Sequence, residues 1–166
     1  MLPQRINLIA YSTLAVIICY IDRVNISVAI IPMQEQFGWS DSQVGFIFSS
    51  FYLGYMLTMA LGGYLSDKFG GKRVLGWGVV LWSIFTILTP LAAHNGFFAL
   101  FFIRILMGIG EGVTFPAWHS LYARWIPFNE RTRAIAFTNS GVSIGTIIGY
   151  IGSQMIILAM GWEWAF

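Results

Sequence analysis

Charged residues are scarce in this chain of 166 residues: only 10% are Asp, Glu, Lys or Arg, while 57% are hydrophobic. A water-soluble domain needs more polar surface than this to cover its core, so the composition excludes a soluble fold. The single cysteine, Cys19, excludes a disulfide framework within the chain, and no ligand spacing typical of a metal site is present. The nine basic residues form no stripe that would fit nucleic acid. We therefore expect a membrane protein that has no cofactor, no metal and no nucleic-acid partner.

Five apolar stretches are each long enough to cross the lipid bilayer as a helix, which takes roughly 20 residues for about 30 Å of hydrocarbon. They cover approximately residues 6–31, 43–65, 74–93, 96–122 and 134–160. Ser40 and Gln43 have the spacing of a capping box at the start of the second stretch. The predicted fold is all-α, a polytopic membrane bundle of five transmembrane helices.

The basic residues outside these stretches lie on one side of the predicted bundle. They fall in the amino-terminal segment and in the loops after the second and fourth helices: Arg5, Lys68, Lys72, Arg73, Arg124, Arg131 and Arg133. The opposite loops contain no Lys or Arg. Because basic loops stay on the cytoplasmic side, this asymmetry predicts a multi-pass protein with a cytoplasmic amino terminus. The membrane we expect is the plasma (inner) membrane.

Small residues recur every four positions on two of the helices, at Gly108 and Gly112 and again at 141, 145, 149 and 153. This spacing lets helix backbones approach closely in lipid. Five helices with such faces need a further partner, and the last residues, GWEWAF, resemble the lead into another helix. We expect residues 1–166 to be the amino-terminal part of a longer protein. A complete five-helix protein that closes by oligomerisation is the alternative.

The segment GGYLSDKFGGKRV, between the second and third helices, combines glycines with charges of both signs. Its patterned positions are Gly63, Asp67, Lys68, Gly70, Lys72 and Arg73. Gly63 would permit close helix approach, Gly70 would permit a turn with positive φ, and the charges could form an ion-pair network that holds one conformation. A basic loop that serves topology alone is the alternative interpretation.

This segment, which we call the gating loop, resembles the signature of the major facilitator superfamily. Members of that superfamily consist of two six-helix halves around a central cavity. The resemblance implies that the chain supplies five helices of a six-helix amino-terminal half, and that the sixth helix and the carboxy-terminal half are absent. Within the superfamily, YIDRVNISVAI and RILMGIGEGVTFPAWHSLYARWIPFNERTRA resemble the anion:cation symporter family, the relatives of sialin, the vesicular glutamate carriers and the sodium-phosphate cotransporters.

Four charged residues lie inside the predicted spans: Asp22, Arg23, Arg104 and Glu111. Each would cost about 2.5–3.5 kcal/mol at a helix centre if it faced lipid, so we expect them to face a cavity or each other. Arg104 and Glu111 are seven residues apart and share one face of the fourth helix. A fixed ion pair between these two, with no contact to a solute, is the structural alternative.

Glu111 is predicted to carry the coupling proton, with Arg104 as its partner and Asp22 as a further titratable or orienting group. Desolvation favours the neutral form of an acid and a nearby arginine favours its charged form, so a proton and an anion can compete for control of the charge. The family resemblance implies the same role, because a fourth-helix glutamate at this place is associated with proton coupling there.

Arg23 is predicted to bind the substrate, because a guanidinium stays charged and its fork of donors fits carboxylate or phosphate. The resemblance implies anion binding by this first-helix arginine, and neutralisation by Asp22 is the alternative. Tyr52, Tyr55 and His119 are further candidates for contact with the solute. Packing is the alternative for the tyrosines, and a hydrogen bond to a carbonyl freed by the nearby proline is the alternative for His119.

These observations predict a secondary active transporter for a small organic anion, such as a sugar acid or carboxylate, or for phosphate. Symport with H⁺ or Na⁺ by alternating access is the expected mechanism. A membrane sensor or interaction protein that binds solute without net transport is the alternative function. An enzyme is not expected, because no nucleophile stands in register with a base.

Overall fold

The computed structural model describes residues 2–166, with side chains from Gln4 onward, and within that range it contains helices and no strand. The elements are α1 (Leu2–Phe37), α2 (Asp41–Phe69), α3 (Gly71–His94), α4 (Phe97–Gly112), α5 (Thr114–Trp125), α6 (Phe128–Met160) and a 3₁₀ helix (Trp162–Ala165). Five helical stretches are long and apolar enough to cross a membrane, and α4 with α5 forms the fourth of them. The predicted all-α bundle with five long apolar helices is confirmed.

The helices extend beyond the apolar stretches that predict them. The first was expected over residues 6–31 and runs over Leu2–Phe37, and the fifth was expected over 134–160 and runs over Phe128–Met160. Hydropathy marks only the part that suits lipid, whereas the backbone hydrogen bonds continue into polar sequence. At the start of α2 the capping box is confirmed: Gln43 N donates to Ser40 Oγ at 3.3 Å, and Ser40 N donates to Gln43 Oε1 at 2.9 Å.

The fourth predicted helix, expected to be continuous over residues 96–122, is interrupted at Val113. Pro116 lacks the backbone N–H that would bond to the carbonyl of Gly112, so one backbone hydrogen bond of the helix is missing at this point. Val113 keeps helical dihedral angles, φ −79° and ψ −13°. The two pieces therefore form one apolar span, Phe97–Trp125.

The helices pack as α1 on α6, α2 on α4, and α3 on both α4 and α5. The small residues lie in these contacts, as predicted. A Cβ at Gly145 would meet the backbone of Ile17 on α1, and one at Gly108 would meet the carbonyl oxygen of Phe51 on α2. Close backbone approach without large side chains gives these helices their contact area in lipid.

The prediction that Gly63 permits close helix approach is wrong. A Cβ at Gly63 would have no atom within 4 Å, whereas one at the preceding Gly62 would lie 3.1 Å from Pro116 Cγ. Successive residues point about 100° apart on a helix, so the two glycines face different surroundings. Gly70, between α2 and α3, has φ +87°, which confirms the predicted turn with positive φ.

The 3₁₀ helix covers the end of the bundle opposite to the basic loops. Trp162 is buried, and its Nε1 donates to Gln36 Oε1 of α1 at 2.7 Å. Asn25 Nδ2, also on α1, donates to the Ala165 carbonyl at 2.6 Å, and Ser153 of α6 donates to Asn25 Oδ1. These bonds tie the 3₁₀ helix and α6 to the segment of α1 that carries the charged residues.

Candidate functional site

A buried ion pair joins α1 to α4 at the level of Arg23. The Glu111 side chain is 0% exposed, and its Oε2 accepts hydrogen bonds from Arg23 Nη2 at 2.7 Å and from Arg23 Nε at 3.2 Å. Burial without a cation would leave this carboxylate strongly destabilised. Two of the residues singled out in the sequence are therefore direct partners.

The predicted pairing of Glu111 with Arg104 is wrong. In residues 2–166 these two side chains form no ion pair within 4.0 Å, and Arg104 Nη1 instead donates to Met107 Sδ at 3.1 Å. Seven residues of helix separate the two positions by about 10.5 Å along the axis. Because Arg23 lies on another helix, the axial rise along α4 does not set its distance to Glu111.

Asp22 does not neutralise Arg23 as the alternative interpretation supposed. It is half-buried and takes part in no ion pair within 4.0 Å among the described residues. Neighbouring helical side chains point about 100° apart, so Arg23 and Asp22 diverge. The orienting role of Asp22 stays a prediction.

Aromatic rings surround the Arg23 guanidinium. Its central carbon lies 4.8 Å from the ring centroid of Tyr20, 5.0 Å from that of Phe51 and 4.9 Å from that of Tyr55. The Arg104 guanidinium lies 5.1 Å from the same Phe51 ring. Contacts of this kind stabilise a cation where water is scarce. Tyr55 therefore meets Arg23 through its ring.

Both arginines line a cavity of about 210 Å³ between α1, α2, α4 and α6. The other lining residues are Tyr20, Val24, Ile26, Ser27, Phe48, Phe51, Tyr52, Thr146 and Tyr150. Tyr52 is exposed, so it stands at the rim. Glu111 is not among the lining residues and lies behind Arg23, which therefore has the carboxylate on one side and the cavity on the other.

Arg104 is a buried cation whose charge has no carboxylate within ion-pair distance in the described part of the chain. It is 2% exposed, and its Nε has no hydrogen-bond partner among residues 2–166. An ionised group in this situation is costly unless an opposite charge reaches it. The cavity wall formed by Arg23 and Arg104 is therefore suited to an anion.

His119 lies away from this site. It is exposed, does not line the cavity, and stacks on Trp118 with ring centroids 3.8 Å apart. Eight residues of helix place it about 12 Å from Glu111 along the axis. Its predicted contact with solute has no support from this geometry.

Cys19 belongs to the site, although its occurrence as a single cysteine predicts only that the chain has no internal disulfide. It is 1% exposed, and its Sγ donates to Glu111 Oε2 at 3.2 Å. The signal in the sequence is its spacing: Cys19 precedes Arg23 by four residues, so the two side chains share one face of α1.

The gating loop contacts α5 through Asp67. Ser120 Oγ donates to Asp67 Oδ1 at 3.3 Å, and Arg124 Nη2 lies 3.2 Å from the Asp67 carbonyl oxygen and 3.9 Å from its carboxylate. Lys68 Nζ donates to Tyr64 OH on its own helix at 3.4 Å. Exposed pairs of this kind contribute about 0–1 kcal/mol.

The two other basic residues of the loop, Lys72 and Arg73, are exposed and join no ion pair in the described range. The cation that pairs with Asp67 is instead Arg124 of α5, which lies outside the segment GGYLSDKFGGKRV. The role of this loop in holding one conformation stays a prediction.

The Major Facilitator Superfamily model matches residues 12–166. "Probable anion transporter 4, chloroplastic" of Oryza sativa subsp. japonica is 47% identical over 99% of this chain and 28% of its own length. In Arabidopsis thaliana, "Ascorbate transporter, chloroplastic" is 46% identical over 99% of this chain and 30% of its length, and "Sodium-dependent phosphate transport protein 1, chloroplastic" is 44% identical over 99% and 32%.

A solved structure has the same arrangement of helices. It is a bacterial homolog of the human lysosomal transporter Spinster, in an inward-facing and occupied conformation. It aligns with a TM-score of 0.81 at 25% identity, over 98% of this chain and 40% of that chain. The present chain spans less than a third of the length of the three plant relatives.

Proposed function

Because the chain belongs to the major facilitator superfamily, we propose that it forms part of a secondary active transporter in which a cation and a small anion move together by alternating access. Within the superfamily we assign it to the anion:cation symporters. The family and the relatives named as anion transporters indicate a transport protein, not an enzyme. The chain is a multi-pass membrane protein by its family and its five apolar helices.

The observation that carries the proposal is the position of Arg23 between Glu111 and the cavity. While Glu111 is charged, it holds Arg23 Nη2 at 2.7 Å. When Glu111 takes up a proton, this ion pair is lost and the guanidinium is free to bind an anion in the cavity. Proton and anion then favour each other's binding, and this coupling is reciprocal. Symport follows from such positive coupling.

The cavity supports a small organic anion, such as a sugar acid or carboxylate, or phosphate as the substrate class. Arg104 adds a second guanidinium to the wall, and each guanidinium can bind carboxylate or phosphate through parallel hydrogen bonds. Tyr20, Tyr52 and Tyr150 line the same cavity, and their hydroxyl groups suit a polar, hydroxylated solute. The cavity volume of about 210 Å³ matches a solute of this size class.

We take H⁺ as the coupling ion, with Na⁺ as the alternative, because the group that controls Arg23 is one buried carboxyl. A proton removes its charge directly. A helix beyond the fifth and a second six-helix half would complete the cavity in the whole protein, in keeping with the share of the relatives' length that the chain covers.

The test is uptake of radiolabelled phosphate, ascorbate and gluconate by the whole protein in proteoliposomes, driven by a pH gradient or by a Na⁺ gradient. In Glu111→Gln, uphill uptake should be lost while exchange of preloaded anion survives. In Arg23→Ala, binding of the anion should be lost. The matched controls are Glu35→Gln and Arg133→Ala, which change exposed residues outside the cavity.

Unchanged uphill uptake in Glu111→Gln would contradict the coupling role, and retained anion affinity in Arg23→Ala would contradict the substrate role. Uptake that follows the Na⁺ gradient alone would assign Na⁺ as the coupling ion. Saturable binding without net flux would assign the alternative function, a solute-binding sensor.

The plasma (inner) membrane and a cytoplasmic amino terminus stay predictions. The plant relatives carry chloroplastic names, so they do not support the plasma membrane as the location. Fractionation of cells that express the tagged protein locates the membrane. Labelling of an amino-terminal tag from either side determines the orientation.

A further inference from the structure

Three donors converge on one oxygen of Glu111. Cys19 Sγ lies 3.2 Å from Oε2, the atom that also accepts both hydrogen bonds from Arg23, and Arg23 Nη2 lies 3.8 Å from the same sulfur. The other carboxylate oxygen, Oε1, has no hydrogen-bond partner among residues 2–166. The position of the carboxylate is thus determined by two side chains one helical turn apart on α1.

The surroundings of Cys19 give the thiol no other evident role. It packs in a buried cluster with Phe51, Trp82 and Met107. No group of three or more His, Cys, Asp or Glu residues in the described range could hold a metal with it. Its burial also keeps oxidants and disulfide partners away. Its polar contacts are Glu111 and Arg23.

The proposed transport cycle requires Arg23 to leave Glu111 when an anion arrives. The protonated Glu111 carboxyl group would then lose its strongest hydrogen-bond donor while it is fully buried. A thiol can donate its S–H to a charged carboxylate, and its sulfur can accept the O–H of a protonated one, although both bonds are weak. Cys19 is therefore able to bond to Glu111 before and after the proton arrives, because a small rotation of the S–H group exchanges the two arrangements.

We propose that Cys19 is a positioning residue for the coupling step: its thiol holds the Glu111 carboxyl group against α1 while Arg23 moves to the anion. This inference rests on the proposed function. Cys19 needs no contact with the solute in this role, and no covalent bond is formed or broken at sulfur.

The test is infrared spectroscopy of the whole protein in nanodiscs, because the S–H stretching band is separate from other protein bands. The chain has a single cysteine, and subtraction of the Cys19→Ser spectrum isolates its band. We expect the frequency of a hydrogen-bonded thiol, a change of frequency in Glu111→Gln, and a further change as Glu111 titrates. The response to Glu111→Gln and to pH is read with Cys19 in place, and the Cys19→Ser spectrum serves only to identify the band.

The carboxyl C=O band of Glu111 gives the pH midpoint of its titration. The bond to the charged carboxylate is the stronger of the two thiol bonds. Loss of the thiol in Cys19→Ala should therefore shift the midpoint. Cys19→Ser keeps a hydrogen-bond donor at this position, so it should not reproduce the shift of Cys19→Ala. A packing role alone would lower thermal stability and leave the midpoint unchanged.

An S–H band that is unaffected by Glu111→Gln, or an unchanged midpoint in Cys19→Ala, would overturn the inference. These spectra do not depend on transport, so the two proposals can fail separately. If the unmodified protein shows no uphill uptake but its S–H band responds to Glu111, symport is rejected and the Cys19–Glu111 contact is kept. Glu111-dependent uptake with an unresponsive band would reject only the role of Cys19.

Discussion

Replacing Arg23 by methionine leaves the Glu111 carboxylate, which is 0% exposed, without its cation. Two opposite charges 2.7 Å apart attract by about 6 kcal/mol at an effective dielectric constant of about 20. Part of this attraction is offset by the cost of desolvating both groups, and an isolated Glu111 relieves its burial by taking up a proton. Removal of one partner of a buried pair costs about 3–5 kcal/mol in such cases, which is the loss we expect for Arg23→Met.

The double variant Arg23→Met with Glu111→Gln removes both charges and leaves no buried ion. Replacement of a whole buried pair by neutral groups is often close to neutral in stability. The double variant should therefore recover much of the loss, with a coupling free energy of at least about 2 kcal/mol between the two positions. The assay is reversible unfolding in mixed micelles with increasing SDS, followed by tryptophan fluorescence.

The matched control is the cycle of Arg104→Met with Glu111→Gln, because Arg104 is also a buried arginine but bonds to Met107. This second cycle should give a clearly smaller coupling energy. Additivity of Arg23→Met and Glu111→Gln within about 0.5 kcal/mol would refute the ion pair. Equal or stronger coupling in the Arg104 cycle would restore the pairing that the sequence predicts.

Two further pairs of variants test the packing by the same unfolding assay. Gly108→Ala should lower stability by about 1–3 kcal/mol, because its Cβ would meet the carbonyl oxygen of Phe51. Gly63→Ala, in open space, should change stability by no more than about 1 kcal/mol; equal losses would contradict the described contact of α2 with α4. Trp162→Ala should cost about 3–5 kcal/mol because the residue is 4% exposed. Trp164→Ala, at a residue 67% exposed, should cost about 0.5 kcal/mol, and similar losses in both would show that the 3₁₀ helix does not cover the end of the bundle as described.

The number and type of the helices follow from the sequence because each span of the lipid bilayer requires about 20 consecutive apolar residues. Such a stretch can be recognised in the sequence alone. Relations within one helix can be predicted too, since residues four apart share a face. The shared buried face of the small residues 141, 145, 149 and 153 on α6 and the capping box of Ser40 with Gln43 are of this local kind.

Relations between helices could not be predicted from spacing. The partner of Glu111 is determined by the height and rotation of α1 relative to α4, which depend on packing along their whole length. For this reason the sequence favours Arg104, on the same helix, as the partner of Glu111, whereas in the structure the partner is Arg23 of α1. The choice between Gly62 and Gly63 is of the same kind, because only a neighbouring helix distinguishes two adjacent glycines.

The three charges at the site connect the geometry to the class of solute. Arg23, Arg104 and a charged Glu111 carry one net positive charge together, and protonation of Glu111 raises it to two. A second buried positive charge beside the same Phe51 ring is unfavourable unless an anion accompanies it. A monovalent anion that enters with one proton returns the site to its original net charge. Under the proposed symport the site would therefore favour the pair over either species alone, and each cycle with such an anion would move no net charge across the membrane.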